Sequence, residues 1–139
     1  MSLSTIFSIA GSGMAAESER LAAVASNLAN ANSAVDSSGE PYRAREVVFR
    51  AVAPDGADGD QSQVGLAGVQ VAGVVQSQEP LRQIYDPSSQ FANNQGFVQM
   101  PNVNPIDEMV NMISAQQNYQ ADLEAFNVAK TLAIRTLTI

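Results

Sequence analysis

The sequence predicts an α+β chain: two long terminal α-helices forming a coiled-coil-like core domain, with a small inserted β unit of hairpins between them. Three observations carry this. Read at alternating steps of four and three, the N-terminal stretch gives Leu3, Phe7, Ala10, Met14, Glu17, Leu21, Val24, Leu28, Ala31 and Val35, a heptad seam of mostly small side chains broken by one charge. A second seam closes the chain: Met112, Gln116, Tyr119, Leu123, Phe126, Lys130, Ala133 and Leu137. Between them, residues 36–103 carry no helical period. Residues 1–35 and 104–139 are therefore expected to be the two halves of one discontinuous helical domain, and 36–103 the β-rich insertion.

Ser2, Ser4 and Thr5 offer capping oxygens before the first seam, and Asn30, Asn32 and Ser33 make a polar stop after it. A helix over residues 4–32 is expected, about 43 Å long at 1.5 Å per residue. Gly11 and Gly13 lie inside it. Each costs about 1 kcal/mol relative to Ala in an exposed helix. Either the helix is interrupted there, or the missing side chains let a neighbouring helix approach closely. A second stripe, Ile6, Ile9, Gly13, Ala16 and Ala23, runs beside the first, which favours several neighbours over one.

Asp36 to Pro41 are turn formers, and Tyr42 to Val52 reads as a strand centred on Val47, Val48 and Phe49. Ala53 to Gln63 is a loop. Its run Asp55-Gly56-Ala57-Asp58-Gly59-Asp60 invites a calcium reading, but Ala57 occupies the third position of an EF-hand loop and no Glu closes it at the twelfth. Val64 to Gln78 alternates as a second strand, and Glu79-Pro80 breaks it. Leu81 to Tyr85 is a short third strand, and Phe97 to Met100 a fourth extended piece. Asn104-Pro105 opens the last helix, with Asn as N-cap, Pro at the first helical position and Asp107 and Glu108 at the positive end of the dipole. Nothing breaks that helix before Leu137, which makes it about 50 Å long.

Composition narrows the function. The net charge is −7, the wrong sign for neutralising nucleic-acid phosphates or docking on an anionic membrane. No run of about eighteen apolar residues provides a spanning helix, so direct membrane insertion is not expected. The first nineteen residues contain no Lys or Arg, so the charged leader of a cleavable secretory signal is missing. The sequence has no His and no Cys, which removes the commonest general base, metal ligand and nucleophile. Glu17 with Glu19 and Asp107 with Glu108 are too close along a helix to converge on one point. No nucleophile elbow, S-x-x-K motif or P-loop occurs. The expectation is a protein without catalytic residues, cofactor, metal or small-molecule substrate. With no Trp and only five Phe and three Tyr, the chain is short of bulky core residues and is expected to rely on partners to bury its seams.

The polar seam residues Glu17 and Lys130 either lie at seam edges in water or fix register between helices. In an end-to-end antiparallel hairpin Leu3 faces Leu137, which puts Glu17 near Leu123, so a Glu17–Lys130 pair has to form between chains.

Several blocks resemble a known family. Ser12-Gly13-Met14-Ala15-Ala16-Glu17, Arg20-Leu21 and Ala25-Ser26-Asn27-Leu28-Ala29-Asn30-Ala31-Asn32-Ser33 resemble the N-terminal signature of bacterial flagellar rod and hook axial proteins. Pro41-Tyr42-Arg43, Glu46-Val47-Val48-Phe49, Tyr85-Asp86-Pro87, the run Gly96 to Asn104, Glu108 to Ile113 and Tyr119-Gln120-Ala121 narrow this to the proximal-rod, FlgC-type branch. Gln117 and Asp122 stand where that branch usually has Arg and Asn, and the loop after Asp86-Pro87 is atypical. The resemblance implies a structural subunit of the proximal rod, the drive shaft crossing the periplasm. It further implies delivery by the flagellar type III export system and terminal helices that fold on packing with other axial proteins. The implied neighbours are further copies of the chain, other rod proteins, the rod-to-ring adaptor FliE and the membrane-embedded ring. The competing reading is a soluble, export-linked adaptor whose helices close as a monomeric hairpin and do not polymerise. On the rod reading the assembly interface comprises Leu3, Phe7, Ala10, Gly11, Gly13, Met14, Leu21, Val24, Leu28, Ala31, Met112, Tyr119, Leu123, Phe126, Ala133 and Leu137.

Overall fold

A computed structural model describes residues 3–34, 40–52 and 68–137. Helix α1 runs over Leu3–Asn30 and helix α2 over Pro105–Leu137. Among the described residues between them lie four strands, β1 (Arg45–Val52), β2 (Gly68–Gln76), β3 (Arg82–Tyr85) and β4 (Phe97–Met100). They form two separate antiparallel pairs, β1 with β2 and β3 with β4. The fold class is the expected one, two long helices around a small β region. The acidic run 55–60 and the segment 64–67 of the expected second strand lie outside the described residues, as does Val35.

α1 is continuous through Gly11 and Gly13, so the interrupted-helix reading does not hold. A Cβ at Gly13 would collide with the Asp122 carboxylate, whose Cγ is 2.9 Å from that position. A Cβ at Gly11 would meet nothing within 4 Å among the described residues, so close approach among them explains one glycine and not the other. α2 starts as its sequence dictates. Asn104 Oδ1 accepts the Ile106 amide at 3.1 Å, and Asn104 Nδ2 donates to Asp107 Oδ2 at 2.7 Å.

The strand around Val47–Phe49 begins at Arg45 and not at Tyr42. Tyr42 and Ala44 are instead buried with Ala31 and Val103 in the core where helices and β unit meet. The β1–β2 register slips between Val48 and Phe49, from Val48 opposite Gly73 to Phe49 opposite Val71. Such a bulge bends a hairpin and increases its twist, and here the bent hairpin packs along α1. In the β3–β4 pair, Gly96 closes the connection with φ +82°. A side chain there would strike the Tyr85 ring at 2.8 Å, so the turn admits only glycine comfortably.

The helices pack antiparallel, in a different register from the end-to-end hairpin. Phe7 meets Phe126 edge to face, with centroids 4.9 Å apart. Glu17 stands opposite Asn118, five residues earlier in α2 than Leu123, with an Asn118 Nδ2 to Glu17 Oε1 hydrogen bond of 3.1 Å. The cause is unequal length. α1 has 28 residues and α2 has 33, and the pair is aligned at the β-unit end, which leaves the excess of α2 at the other.

Candidate assembly surface

Asn27 ties the helices to the β unit. It is 2% exposed and uses both ends of its amide. Its Nδ2 donates to the Arg45 carbonyl at 2.9 Å and to Glu108 Oε2 at 3.1 Å. Its Oδ1 accepts the Arg45 amide at 2.8 Å and the Tyr42 hydroxyl at 2.9 Å. One side chain therefore fixes α1, the entry to β1 and the first turn of α2. Asn102 repeats the device: its Oδ1 accepts the Ala44 amide at 2.8 Å and its Nδ2 donates to the Glu79 carbonyl at 3.1 Å. The buried amide of Asn27, satisfied this fully, specifies one arrangement, because any other leaves polar groups unpaired, and the half-buried Asn102 supports it.

The helix–helix seam is built of small residues. Ala10, Ala16, Ala23 and Val24 of α1, and Ala115 and Ala129 of α2, are buried. In α2 the expected positions Met112, Tyr119, Phe126 and Ala133 are half-buried, whereas Gln116, Leu123 and Lys130 are exposed. The intervening places are taken by the residues one step earlier, Ala115, Asp122 and Ala129. Close helix approach selects side chains by size, so the alanines face inward and the leucine is left outside. The side chain of Leu137 lies outside the described residues.

Asp122 sits in this seam against Gly13. Burial, and secondarily the Glu17 carboxylate, push its carboxyl above the ordinary aspartate value of 3.8. Glu17 Oε2 is shielded from solvent without a hydrogen-bond partner among the described residues, and Arg20 approaches it at 3.7 Å. The seam thus holds two carboxylates on adjoining helices.

Among the sequence-selected interface residues, Ala10, Val24 and Ala31 are buried within the chain. Leu3, Phe7, Gly11, Gly13, Met14, Leu21 and Leu28 are half-buried, each with a part of its surface outward. The second stripe of α1 is partly occupied by the chain itself. Ala16 and Ala23 are buried, and Ser12 Oγ, which donates to the Ile9 carbonyl, accepts the Val69 amide of β2 at 3.1 Å. That stripe is not wholly free for a second neighbour, because the bent hairpin covers it.

The larger outward surface is on α2, where sequence reasoning did not place it. Ile106 is 71% exposed, Val110 60% and Ile113 57%. Their spacing of four and three puts them on one face, opposite Ala115 at 3.6 residues per turn. Met109, Val128, Leu132 and Ile134 are also exposed. The spacing was available as a signal; the competing pattern through Met112 and Leu123 hid it.

Comparison with known proteins gives a consistent result. A family model described as "Flagella basal body rod protein" matches residues 7–34, and one described as "Flagellar basal body rod FlgEFG protein C-terminal" matches residues 94–139. The chain is 46% identical over 139 residues to a flagellar basal-body rod protein FlgC of Salmonella typhimurium, covering 100% of this chain and 98% of the relative. It is 45% identical, with the same coverage, to the FlgC of Escherichia coli O157:H7. Over 141 aligned residues it is 45% identical to the FlgC of Buchnera aphidicola from Acyrthosiphon pisum, again covering 100% of this chain and 98% of the relative.

Proposed function

The chain belongs to the FlgC family of flagellar basal-body rod proteins, and from that premise we propose how its surfaces serve as those of a structural rod subunit. The two helices, about 42 and 50 Å long, form the part of the subunit that packs with neighbouring helices inside the rod. The bent β1–β2 hairpin braces α1 from outside.

One observation supports this above the others. α2 buries Ala115 and Ala129 toward α1, with Phe126 against Phe7, and turns Ile106, Val110, Ile113, Val128, Leu132 and Ile134 outward. A helix belonging to a self-contained hairpin has its large apolar residues inside and polar ones outside. The inverse arrangement fits a helix whose outer face is covered by other subunits. It also argues against the monomeric adaptor, which has no use for an apolar outer face.

Many helix–helix contacts carry load without a catalytic group, so the reading assigns the chain no enzymatic role. It places the subunit in the proximal rod, in the periplasm, transmitting torque. Its neighbours on this reading are further copies, other rod proteins, FliE and the membrane-embedded ring, reached through the flagellar type III export system. The interface comprises the outward parts of the α1 seam from Leu3 to Leu28, with Leu123 and the Ile106–Val110–Ile113 face of α2. A seam whose fully buried residues are alanines and one valine stabilises the isolated pair weakly, so the free chain is expected to have frayed helix ends that become ordered on assembly. Locating an epitope-tagged copy in purified basal bodies tests the reading: it requires the tag in the rod, and a tag confined to the soluble fraction refutes it.

A further inference from the structure

A cleft of about 360 Å³ opens between α1, α2 and the β1–β2 hairpin. Ile9, Ala16, Phe49 and Val69 give it apolar walls, and Glu17 and Asp122 line it with carboxylates. Asp122 makes no hydrogen bond or ion pair among the described residues, and the shielded Glu17 Oε2 accepts no hydrogen bond. Elsewhere on α2, Lys130, the single lysine of the sequence, is exposed and likewise has no hydrogen-bond or ion-pair partner among the described residues.

Lys130 does not reach this cleft in its own chain. It lies eight residues beyond Asp122, about 12 Å along the axis at 1.5 Å per residue. It also shares a flank of α2 with Gln116 and Leu123, whereas Asn118 and Ala121, which line the cleft, project from the other flank at 3.6 residues per turn. We propose that the cleft receives Lys130 from a second copy of the chain. The four methylenes lie along the apolar walls and the ammonium meets the Asp122 carboxylate, with Glu17 behind it. Each half of the contact then gains what it lacks: Asp122 a cation, beside a Glu17 already approached by Arg20 at 3.7 Å, and the lysine an anion.

Because the donor and acceptor surfaces are opposite flanks of the same molecule, the contact is heterologous and repeats without closing on a pair. Because they also differ by about 12 Å along α2, two parallel copies joined by this contact are offset by about that distance along the helix. This inference rests on the rod reading, and its test separates the two.

The test uses a motile strain whose own copy of the gene is deleted and supplied again as variants. Lys130→Glu and Asp122→Lys are each expected to reduce swarm-ring expansion about fivefold or more, as reversing one member of a charge pair across an interface does. The double variant exchanges the signs of the two surfaces and restores expansion to at least about half. Circular dichroism of the purified variants establishes that each is folded. In purified basal bodies, zero-length carbodiimide coupling should join Lys130 to Asp122 or Glu17 of another copy. Normal swarming of Lys130→Glu, a double variant no better than the singles, or coupling of Lys130 only to other rod proteins overturns the inference. Absence of the unaltered chain from basal bodies, by contrast, overturns the rod reading itself.

Discussion

Asn27→Ala is the substitution that the structure prices most directly. The change removes four hydrogen bonds, of 2.8 to 3.1 Å, made by one amide that is 2% exposed. Glu108 is half-buried and turns to water when released, and the Tyr42 hydroxyl keeps its contact with Ser26 Oγ at 3.1 Å. The Arg45 amide and carbonyl lose a partner each at a packed joint. At about 1 to 3 kcal/mol for each buried polar group left unpaired, the net loss is about 3 kcal/mol. That corresponds to roughly a hundredfold, since 1.36 kcal/mol is a factor of ten. The Arg45 amide reports it best, because Asn27 Oδ1 is its acceptor. Hydrogen exchange at that amide should accelerate about a hundredfold, with the helix content of α1 reduced at its C-terminal end. Acceleration of less than about fivefold would mean that water or the neighbouring strand replaces the amide readily, and the joint would not be organised by Asn27.

The two glycines of α1 should respond in opposite senses. Gly11→Ala, with open space around it, should stabilise the isolated chain by about 0.5–1 kcal/mol in urea titration. Gly13→Ala should destabilise it by pressing on Asp122, and Gly13→Leu should abolish swarming while leaving the strand signal of the β unit intact. Asp122 supplies a pH dependence whose sign follows from its raised carboxyl. The folded chain holds that proton more tightly than the unfolded one, so the penalty is full above the folded pKa, fades as pH falls through it, and is gone below the unfolded value of 3.8. Asp122→Asn should therefore raise the melting temperature at pH 7 and flatten the rise otherwise seen on acidification; an unchanged slope would assign it to another group. Val110→Ser with Ile113→Ser should alter the stability of the free chain by no more than about 0.5 kcal/mol, as exposed substitutions do, and yet block incorporation into basal bodies.

Much of this architecture was legible because it depends on local signals. Asn104-Pro105 with Asp107 placed the start of α2 where the capping bonds form, and the β-branched run at Val47–Phe49 and the valines from Val69 to Val75 marked the hairpin. The rotation of α2 was less legible. A heptad reading rewards large apolar residues and so selected Leu123, whereas a close seam selects the smallest, Ala115 and Ala129. Three of the seven α2 seam positions with described side chains, Gln116, Leu123 and Lys130, were displaced by one residue. The helix register was displaced by five because the helices align at the joint, where Asn27 meets Glu108, and no periodicity records which end of a hairpin is anchored. Asn27 itself stood inside the Asn27-Leu28-Ala29-Asn30 block without showing its four partner groups, since they come from two segments distant in sequence, the entry to β1 and the first turn of α2.

Solvent access at position 113 tests most directly that the outward apolar face of α2 is covered in the assembled rod. The sequence has no cysteine, so Ile113→Cys introduces a single thiol at a site 57% exposed in the free subunit. A maleimide should label it readily in the purified chain and leave it protected by about tenfold or more in intact basal bodies, as burial in an interface requires. Equal labelling in the two states, in rods that retain the protein, would contradict the account.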